Sequence, residues 1–372
     1  MILFAAGGTG GHLFPALAVA EQLRQLSPEL PIAFVGTSDH LEADLVPAAG
    51  FAFHAIPARA LPREFGWESW QFVKTTLRGV HQAQRLLRRL QPRAVLGCGA
   101  YVSFPTLIAA KLCRIPTLIA EANAYPGLAN RALGSLVDRI FVAIPGTEHY
   151  FPSGKATCTG NPIRGAFGRL QRSEARQAIN FPPTEQLLLV TGGSLGARSL
   201  NEAFSSVYEQ VLERPDWSIL HITGTKELSA IVKQLAAQPL ANDPVSYETC
   251  DGRYRLLGFC GQMPEAIMAA DLVLARSGAT TTAELAAAGR PAVFIPLTIN
   301  PDQIANAQHM ERHGAGKVIL NDRACSDLPA VLLPLLDDLP TLATMAAAAK
   351  LQGRPEAAVL IAREILSRIG SR

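Results

Sequence analysis

The sequence predicts an α/β protein of two parallel-sheet halves, and three observations predict it. Short, continuously apolar runs alternate with helical patterns along the chain. A strand, a glycine-rich turn and a helix open it, and the same grammar returns half a chain later. Apolar strands separated by helices mark parallel sheets covered on both faces. Ligands of such sheets bind at the carboxyl ends of strands, so two halves facing each other are expected to share one cleft.

The first element is the run Ile2 to Ala6, followed by the turn Gly7-Gly8-Thr9-Gly10-Gly11 and a periodic stretch with Leu13, Ala16, Leu17, Ala20 and Leu23. Pro15 fits the first turn of a helix, which places the helix start near His12 or Leu13. Strand-like runs follow at Ile32 to Val35, Ala94 to Leu96, Thr117 to Ala120 and Arg139 to Val142. Turn formers cluster from Pro145 to Pro162, which sets a boundary there: a first domain over 1–160 and a second over 161–356. The second opens with Leu187 to Thr191, the turn Gly192-Gly193-Ser194-Leu195-Gly196 and a helix through Leu200, Ala203, Phe204 and Val207. Further strands are expected at Trp217 to Ile222, Asp271 to Ala275 and Ala292 to Ile295. The closing apolar helix, 357–372, is expected to fold back on the first domain.

The 372 residues are 48% hydrophobic, enough for about two domain cores and too apolar for disorder. A net charge of +3 from 34 basic and 31 acidic residues calls for no nucleic acid, so any basic function is local. No cationic leader and no run of about 18 apolar residues appear, which argues against a secretory signal and a spanning helix and for a cytoplasmic place. The six cysteines, Cys98, Cys113, Cys158, Cys250, Cys260 and Cys325, lack the spacing of a disulfide framework or zinc site, and buried or inert thiols are expected.

Glycines at a strand-to-helix turn let the backbone approach an anion, and the helix start that follows is partly positive, so both turns suit a phosphate or pyrophosphate. The bland alternative is a tight turn with no ligand. The first turn fails the dinucleotide fingerprint at its last position and no P-loop occurs, which disfavours NAD and ATP chemistry. His12 at the first helix start is a proton acceptor, because the helix dipole disfavours imidazolium, or else a packing residue. In Arg276-Ser277-Gly278-Ala279-Thr280-Thr281-Thr282-Ala283-Glu284, the hydroxyls and amides suit an oxyanion and Glu284 suits a vicinal diol such as ribose; Thr281 and Glu284 also read as a capping box. Asn300-Pro301-Asp302-Gln303 reads as a polar loop near sugar hydroxyls.

Over essentially its whole length the chain resembles the MurG family, the bacterial transferases that add N-acetylglucosamine (GlcNAc) to the undecaprenyl-linked muramoyl-pentapeptide. The resemblance is carried by Gly7 to His12, Gly99-Ala100-Tyr101-Val102-Ser103, Asn123 to Asn130, Gly160-Asn161-Pro162-Ile163-Arg164, Gly192 to Asn201 and Arg276 to Gly289. It implies a GT-B fold of two Rossmann-like domains with an interdomain cleft, the donor UDP-GlcNAc mainly on the second domain and the acceptor, lipid I, on the first. By the same resemblance Arg164, Ser194 and Gln303 are donor contacts and Glu284 binds ribose, while the backbone from Cys260 to Met263 holds uracil. Thr9, Gly10, Gly11 and Asn123 are contacts of the first domain. His12 is similar to the family's proposed base, and Tyr101 and Glu121 to acceptor-side polar groups, with Glu121 expected beside His12 among the catalytic residues. Ala120 and Ala122 depart from the family, which commonly has His-Glu-Gln-Asn where this chain reads Ala120-Glu121-Ala122-Asn123.

The implied reaction is an inverting displacement at C1 of GlcNAc by the acceptor 4-hydroxyl, with His12 taking the proton. No Asp-x-Asp occurs, so helix starts, hydroxyls and Arg164 are expected to stabilise the leaving diphosphate without an obligatory metal. The segment 59–93 carries Arg59, Arg63, Lys74, Arg78, Arg85, Arg88, Arg89 and Arg93 against Glu64 and Glu68, interleaved with Trp67, Trp70, Phe72, Val73 and Leu77. It is expected to bind an anionic membrane surface peripherally, at the inner face of the plasma membrane, where the resemblance also allows association with other cell-wall enzymes. The alternatives are a nucleotide-sugar epimerase of similar fold, a non-catalytic membrane-recruited subunit that binds a nucleotide or glycan and, more distantly, an oxidoreductase.

Overall fold

The computed structural model describes residues 1–60, 66–168, 170–182, 185–193, 196–240 and 243–370. Ser194, Leu195, Arg63 and Glu64 therefore lie outside the described residues. The chain divides into two compact units, Met1–Arg164 with Pro355–Arg372, and Gly165–Arg354.

In the first unit the elements run β1 (Ile2–Ala5), α1 (Gly10–Leu26), β2 (Ile32–Gly36), α2 (Glu42–Ala48), β3 (Ala52–Ala55), α3 (Trp67–Leu90), β4 (Ala94–Gly97), α4 (Ala100–Leu112), β5 (Thr117–Glu121), α5 (Leu128–Leu133), β6 (Arg139–Val142) and β7 (Ala156–Cys158). Among the described residues its sheet has the order β3-β2-β1-β4-β5-β6-β7, and its pairings are parallel. Ile2, Leu3 and Phe4 are wholly buried, as strands covered on both faces must be.

The second unit holds α6 (Arg172–Ala178), β8 (Gln186–Thr191), α7 (Arg198–Ser205), α8 (Tyr208–Leu212), β9 (Trp217–Ile222), α9 (Thr225–Gln234), β10 (Gln238–Leu240), β11 (Asp243–Thr249), β12 (Tyr254–Leu257), α10 (Met263–Ala269), β13 (Leu272–Ala275), α11 (Ala279–Ala288), β14 (Ala292–Phe294), α12 (Pro301–Arg312), β15 (Gly316–Val318), α13 (Ala324–Asp337) and α14 (Leu339–Gln352). Its order is β10-β11-β12-β9-β8-β13-β14-β15 among the described residues. Without the antiparallel β10–β11 edge, this is the same Rossmann-like winding, with strands spreading both ways from the first.

The last helix, α15 (Ala357–Gly370), belongs to the first unit. Ala358, Ile361, Ala362, Ile365 and Ile369 share one core with Leu13, Leu17 and Leu23 of α1. The Arg93 guanidinium donates to the Ile369 carbonyl, and Arg139 pairs with Glu364 at 3.6 Å.

Four sequence expectations need correction. Helix α1 starts at Gly10, so Pro15 lies inside the helix and, having no N–H, forfeits the hydrogen bond to the carbonyl four residues back. The helix after the second glycine turn ends at Ser205, and Val207 precedes a separate helix, α8. Gly278, not Thr281, is the N-cap of α11, so Thr281 and Glu284 form no capping box. Asn300 to Gln303 is the start of α12 rather than a loop, with Asn300 as N-cap and Pro301 in the first turn.

No single described helix is long and apolar enough to cross a membrane. One bent pair, Asn321–Asp337 with Leu339–Gly370, meets that test together, but its Leu328, Leu332, Ile361 and Ile365 are buried within the protein.

Candidate active site

Strand register gathers the predicted residues of the first unit along one sheet edge. Ala5 pairs with Val35 and Gly97, Gly97 with Ile119, Glu121 with Val142 and Val142 with Cys158. The segments leaving those carboxyl ends carry Thr9 to His12, Tyr101, Glu121 with Asn123, and Arg164.

Thr9 is the exposed N-cap of α1, and its side chain makes no capping bond. Most N-cap threonines satisfy a first-turn amide. This one leaves its hydroxyl for another partner. Gly8 and Gly99 have positive φ, +79° and +85°, which favours glycine. The His12 imidazole lies directly against Gly99, where a Cβ would meet Nδ1 at 2.5 Å. Tyr101 covers Gly8, its ring 3.4 Å from the position of a Cβ there. Burial pushes the Tyr101 phenol up, against a side-chain hydrogen bond with Thr37 that acts the other way. Arg164 lies over the Phe14 ring, 5.4 Å from its centroid.

Glu121 is buried, and its carboxylate takes four donors. Oε1 accepts from the Asn123 amide at 2.9 Å and from Asn123 Nδ2 at 3.3 Å. Oε2 accepts from the Gly127 amide at 3.0 Å and Asn130 Nδ2 at 2.8 Å. Burial pushes its carboxyl above the usual carboxylate range, outweighing these bonds, which pull the other way. Such a carboxylate organises the loop 122–127 and the start of α5. Ala120 is buried in the core and Ala122 half-buried.

The second unit repeats the arrangement. Thr191 pairs with Ala275 and Ile222, Ala275 with Phe294 and Ile222 with Leu257. The second glycine turn and the segments bearing Cys260, Glu284 and Gln303 thus leave neighbouring strands. Gly193 and Gly196 have φ of +86° and +75°; a Cβ on Gly193 would meet open space, and one on Gly196 the Thr223 carbonyl. Glu284 is buried on α11, 4% exposed. Gln303 Oε1 accepts from the Leu297 amide at 3.0 Å, which orients its side chain and turns Nε2 to other acceptors. Cys260 is half-buried beyond β12.

Part of the predicted oxyanion site is committed elsewhere. Ser277 Oγ donates to the Gln303 carbonyl at 2.8 Å, and Thr282 Oγ1 to the carbonyls of Gly278 and Ala279. Arg276 is buried and donates to the Ile295 carbonyl, Asn321 Oδ1 and Ser199 Oγ. It ties the segment before α11 to the first turn of α7. Sequence reasoning gave no role to Glu42, Thr37, His221 or Asn201, the last named only as the end of a motif; each is an ordinary polar residue in the sequence, and only the fold buries it.

Among the described residues all six cysteines are free thiols; Cys250 and Cys325 are exposed rather than buried. Burial pushes the Cys98 thiol up. Among the described residues no three His, Cys, Asp or Glu side chains gather to hold a metal ion. Of the basic segment, Lys74, Arg78, Arg85, Arg88 and Arg89 lie on α3, while Arg59 precedes it and Arg93 follows it. Its second half buries Ala83, Leu86 and Leu87, while Trp67 (76%), Trp70 (73%) and Leu77 (65%) stand exposed on the first half.

The description "Glycosyltransferase family 28 N-terminal domain" matches residues 2–142, and "Glycosyltransferase family 28 C-terminal domain" matches residues 187–361. The chain is 38% identical over 368 residues to the UDP-N-acetylglucosamine–N-acetylmuramyl-(pentapeptide) pyrophosphoryl-undecaprenol N-acetylglucosamine transferase of Salinibacter ruber, covering 98% of this chain and 96% of the relative. It is 36% identical to the protein of the same name from Alkaliphilus metalliredigens, over the full length of both. Among solved structures, the Acinetobacter baumannii MurG crystal structure superposes with a TM-score of 0.75 at 29% identity, covering 98% of this chain and 99% of that one. A UDP-GlcNAc 2-epimerase from Neisseria meningitidis shares the fold, with a TM-score of 0.68 at 16% identity over 99% of this chain and 100% of that one. The fold is thus GT-B, and the chain belongs to the MurG family of N-acetylglucosamine transferases, enzymes of glycosyltransferase family 28.

Proposed function

We propose that this chain carries out the reaction its family is named for, moving N-acetylglucosamine from UDP-GlcNAc to the 4-hydroxyl of the muramoyl sugar of lipid I, with inversion, to give lipid II. The observation that carries the reading is the pair of glycine turns, each at the carboxyl edge of a Rossmann-like sheet, in a chain that matches named transferases from end to end. An epimerase has the fold in common with it, but the identity lies with the transferases.

The first unit takes the acceptor. His12, at the start of α1, removes the proton of the attacking hydroxyl, where general base catalysis contributes about 10²- to 10⁴-fold. The Thr9 hydroxyl, the backbone of Gly10 and Gly11, and Tyr101 line the same edge and orient the acceptor. Glu121 acts through the loop it holds, presenting Asn123, and does not itself exchange a proton. The second unit takes the donor. Glu284 accepts from the ribose hydroxyls, Gln303 Nε2 donates to the donor, the backbone beyond Cys260 holds uracil, and the second glycine turn with Ser194 cradles the diphosphate. Helix starts and Arg164 neutralise the departing UDP, so no metal is obligatory.

The first half of α3 rests on the membrane that holds the lipid acceptor. Trp67, Trp70, Val73 and Leu77 fall on one side of the helix at helical spacing, with Lys74 and Arg78 beside them. Exposed tryptophans with flanking cations suit an anionic interface.

The test is His12→Ala in the purified chain, assayed with UDP-GlcNAc and a short-chain lipid I analogue. The expected result is a loss of turnover of about a hundredfold or more with UDP binding retained. Turnover at the wild-type rate would remove the proposed base.

A further inference from the structure

Glu42 is wholly buried at the start of α2, directly behind the first glycine turn. Its Oε2 accepts from the Gly8 amide at 2.9 Å. Its Oε1 accepts from the Thr37 amide at 3.0 Å and the Thr37 hydroxyl at 2.8 Å. Among the described residues no cation pairs with it. A buried carboxylate without a cation is costly unless hydrogen bonds compensate it, and here three donors meet it.

Two glycines make room for it. A Cβ on Gly7 would collide with the Glu42 carboxylate, and one on Gly36 would fall 2.5 Å from its Cγ. Neither glycine has a positive φ, in contrast to Gly8. Space for this side chain, rather than a left-handed backbone, is what glycine provides at both places. Thr37 also bonds Tyr101, the ring of which covers Gly8. One carboxylate therefore joins the end of β1, the end of β2 and the start of α4. The Gly8 amide is committed to it, so any anion at this turn meets the amides further along.

We propose that Glu42 is a positioning residue for the transfer reaction: by holding the Gly8 amide and Thr37 from behind, it fixes the first glycine turn so that Thr9, His12 and Tyr101 meet the acceptor in register. The inference rests on the reading of that turn as the acceptor site. It predicts a defect confined to the acceptor side, because the hydrogen-bond partners of Glu42, Gly8 and Thr37, belong to the first unit.

The experiment is steady-state kinetics on the full chain with UDP-GlcNAc and a short-chain lipid I analogue, alongside UDP titration and thermal unfolding. Glu42→Gln keeps the shape but sets an amide against the Gly8 N–H or the Thr37 donors. It is expected to lower kcat/KM for the acceptor at least tenfold, with the KM for UDP-GlcNAc within twofold of wild type and one UDP still bound per chain. Gly7→Ala is expected to give a similar defect alone and no further loss in a Glu42→Ala background, since the collision partner is gone. Should Glu42→Gln not fold, Thr37→Val, which removes one of the three bonds, is expected to show a weaker defect of the same kind. Acceptor kinetics within twofold of wild type in Glu42→Gln, or in Thr37→Val if that variant must stand in, would overturn the proposal. So would additive losses in the double variant, or a donor KM that rises as much as the acceptor term falls. His12→Ala separates the two levels. If it transfers normally, the acceptor-site reading fails; if it is inactive while Glu42→Gln is not, only the role of Glu42 fails.

Discussion

Glu121 and His221 show what burial does to a titratable side chain when the fold supplies partners. Glu121 meets four donors, and its place at the end of β5 was legible because the strand and the motif Glu121-x-Asn123 are contiguous. His221 was not legible, since a histidine within an apolar strand looks the same whether it binds a ligand or packs. In the structure His221 is fully buried, its Nδ1 against the Tyr254 hydroxyl at 2.9 Å and its Nε2 against Asn201 Oδ1 at 3.0 Å. Asn201 Nδ2 in turn donates to the Thr223 carbonyl at 2.9 Å, beside the second glycine turn. Burial pushes the imidazole down to about 3, whereas an unfolded one protonates near 6.5. The neutral ring therefore adds stability that is whole above pH 6.5 and is lost as the pH falls from there toward 3, at about 1.4 kcal/mol per pH unit. His309, lowered to about 4, chiefly by burial, acts in the same direction. The melting temperature is expected to fall between pH 7 and pH 5, with a shallower slope in His221→Gln; a melting temperature unchanged over that range would contradict the assignment.

At the scale of elements, continuous apolar runs announced the central strands, and the register then followed from packing. The edges were silent: β3 is half-exposed, β7 only partly buried, and β10 three residues long, largely exposed and interrupted by Pro239, so none has the buried apolar run on which strand recognition depends. Helix α15 was visible as an apolar stripe expected on the first domain, and it does belong to that unit; its groove beside α1 was not legible, because a stripe does not say which groove it fills. Ile361 and Ile365 are wholly buried against α1. Ile365→Ala is expected to cost about 2 to 5 kcal/mol, measured by urea unfolding; a loss under 0.5 kcal/mol would mean that the helix is not part of that core. In α3 the exposed tryptophans and the cations make separable contributions. Lys74→Glu with Arg78→Glu is expected to weaken binding to anionic vesicles by about 2 kcal/mol or more and to leave transfer to a soluble acceptor analogue intact. Equal vesicle binding by the variant and the wild type would dismiss α3 as the docking face.

At the scale of the molecule there are two Rossmann-like units, wound alike, and the proposed reaction gives the acceptor to the first and the donor to the second. The sequence showed both glycine turns and their order because backbone chemistry of that kind is written in contiguous residues. It did not show the supports, Glu42 behind the first turn and Arg276 beside the second, because those act across the fold from elsewhere in the chain. The whole account turns on direct transfer to the acceptor with the diphosphate neutralised by the protein's own donors. Its most direct test is the purified chain with labelled UDP-GlcNAc and a short-chain lipid I analogue, in EDTA. The account predicts label on the acceptor at an undiminished rate, and none lost from UDP-GlcNAc without acceptor. Activity that vanishes in EDTA and returns with Mg²⁺, or conversion of UDP-GlcNAc alone, would contradict it.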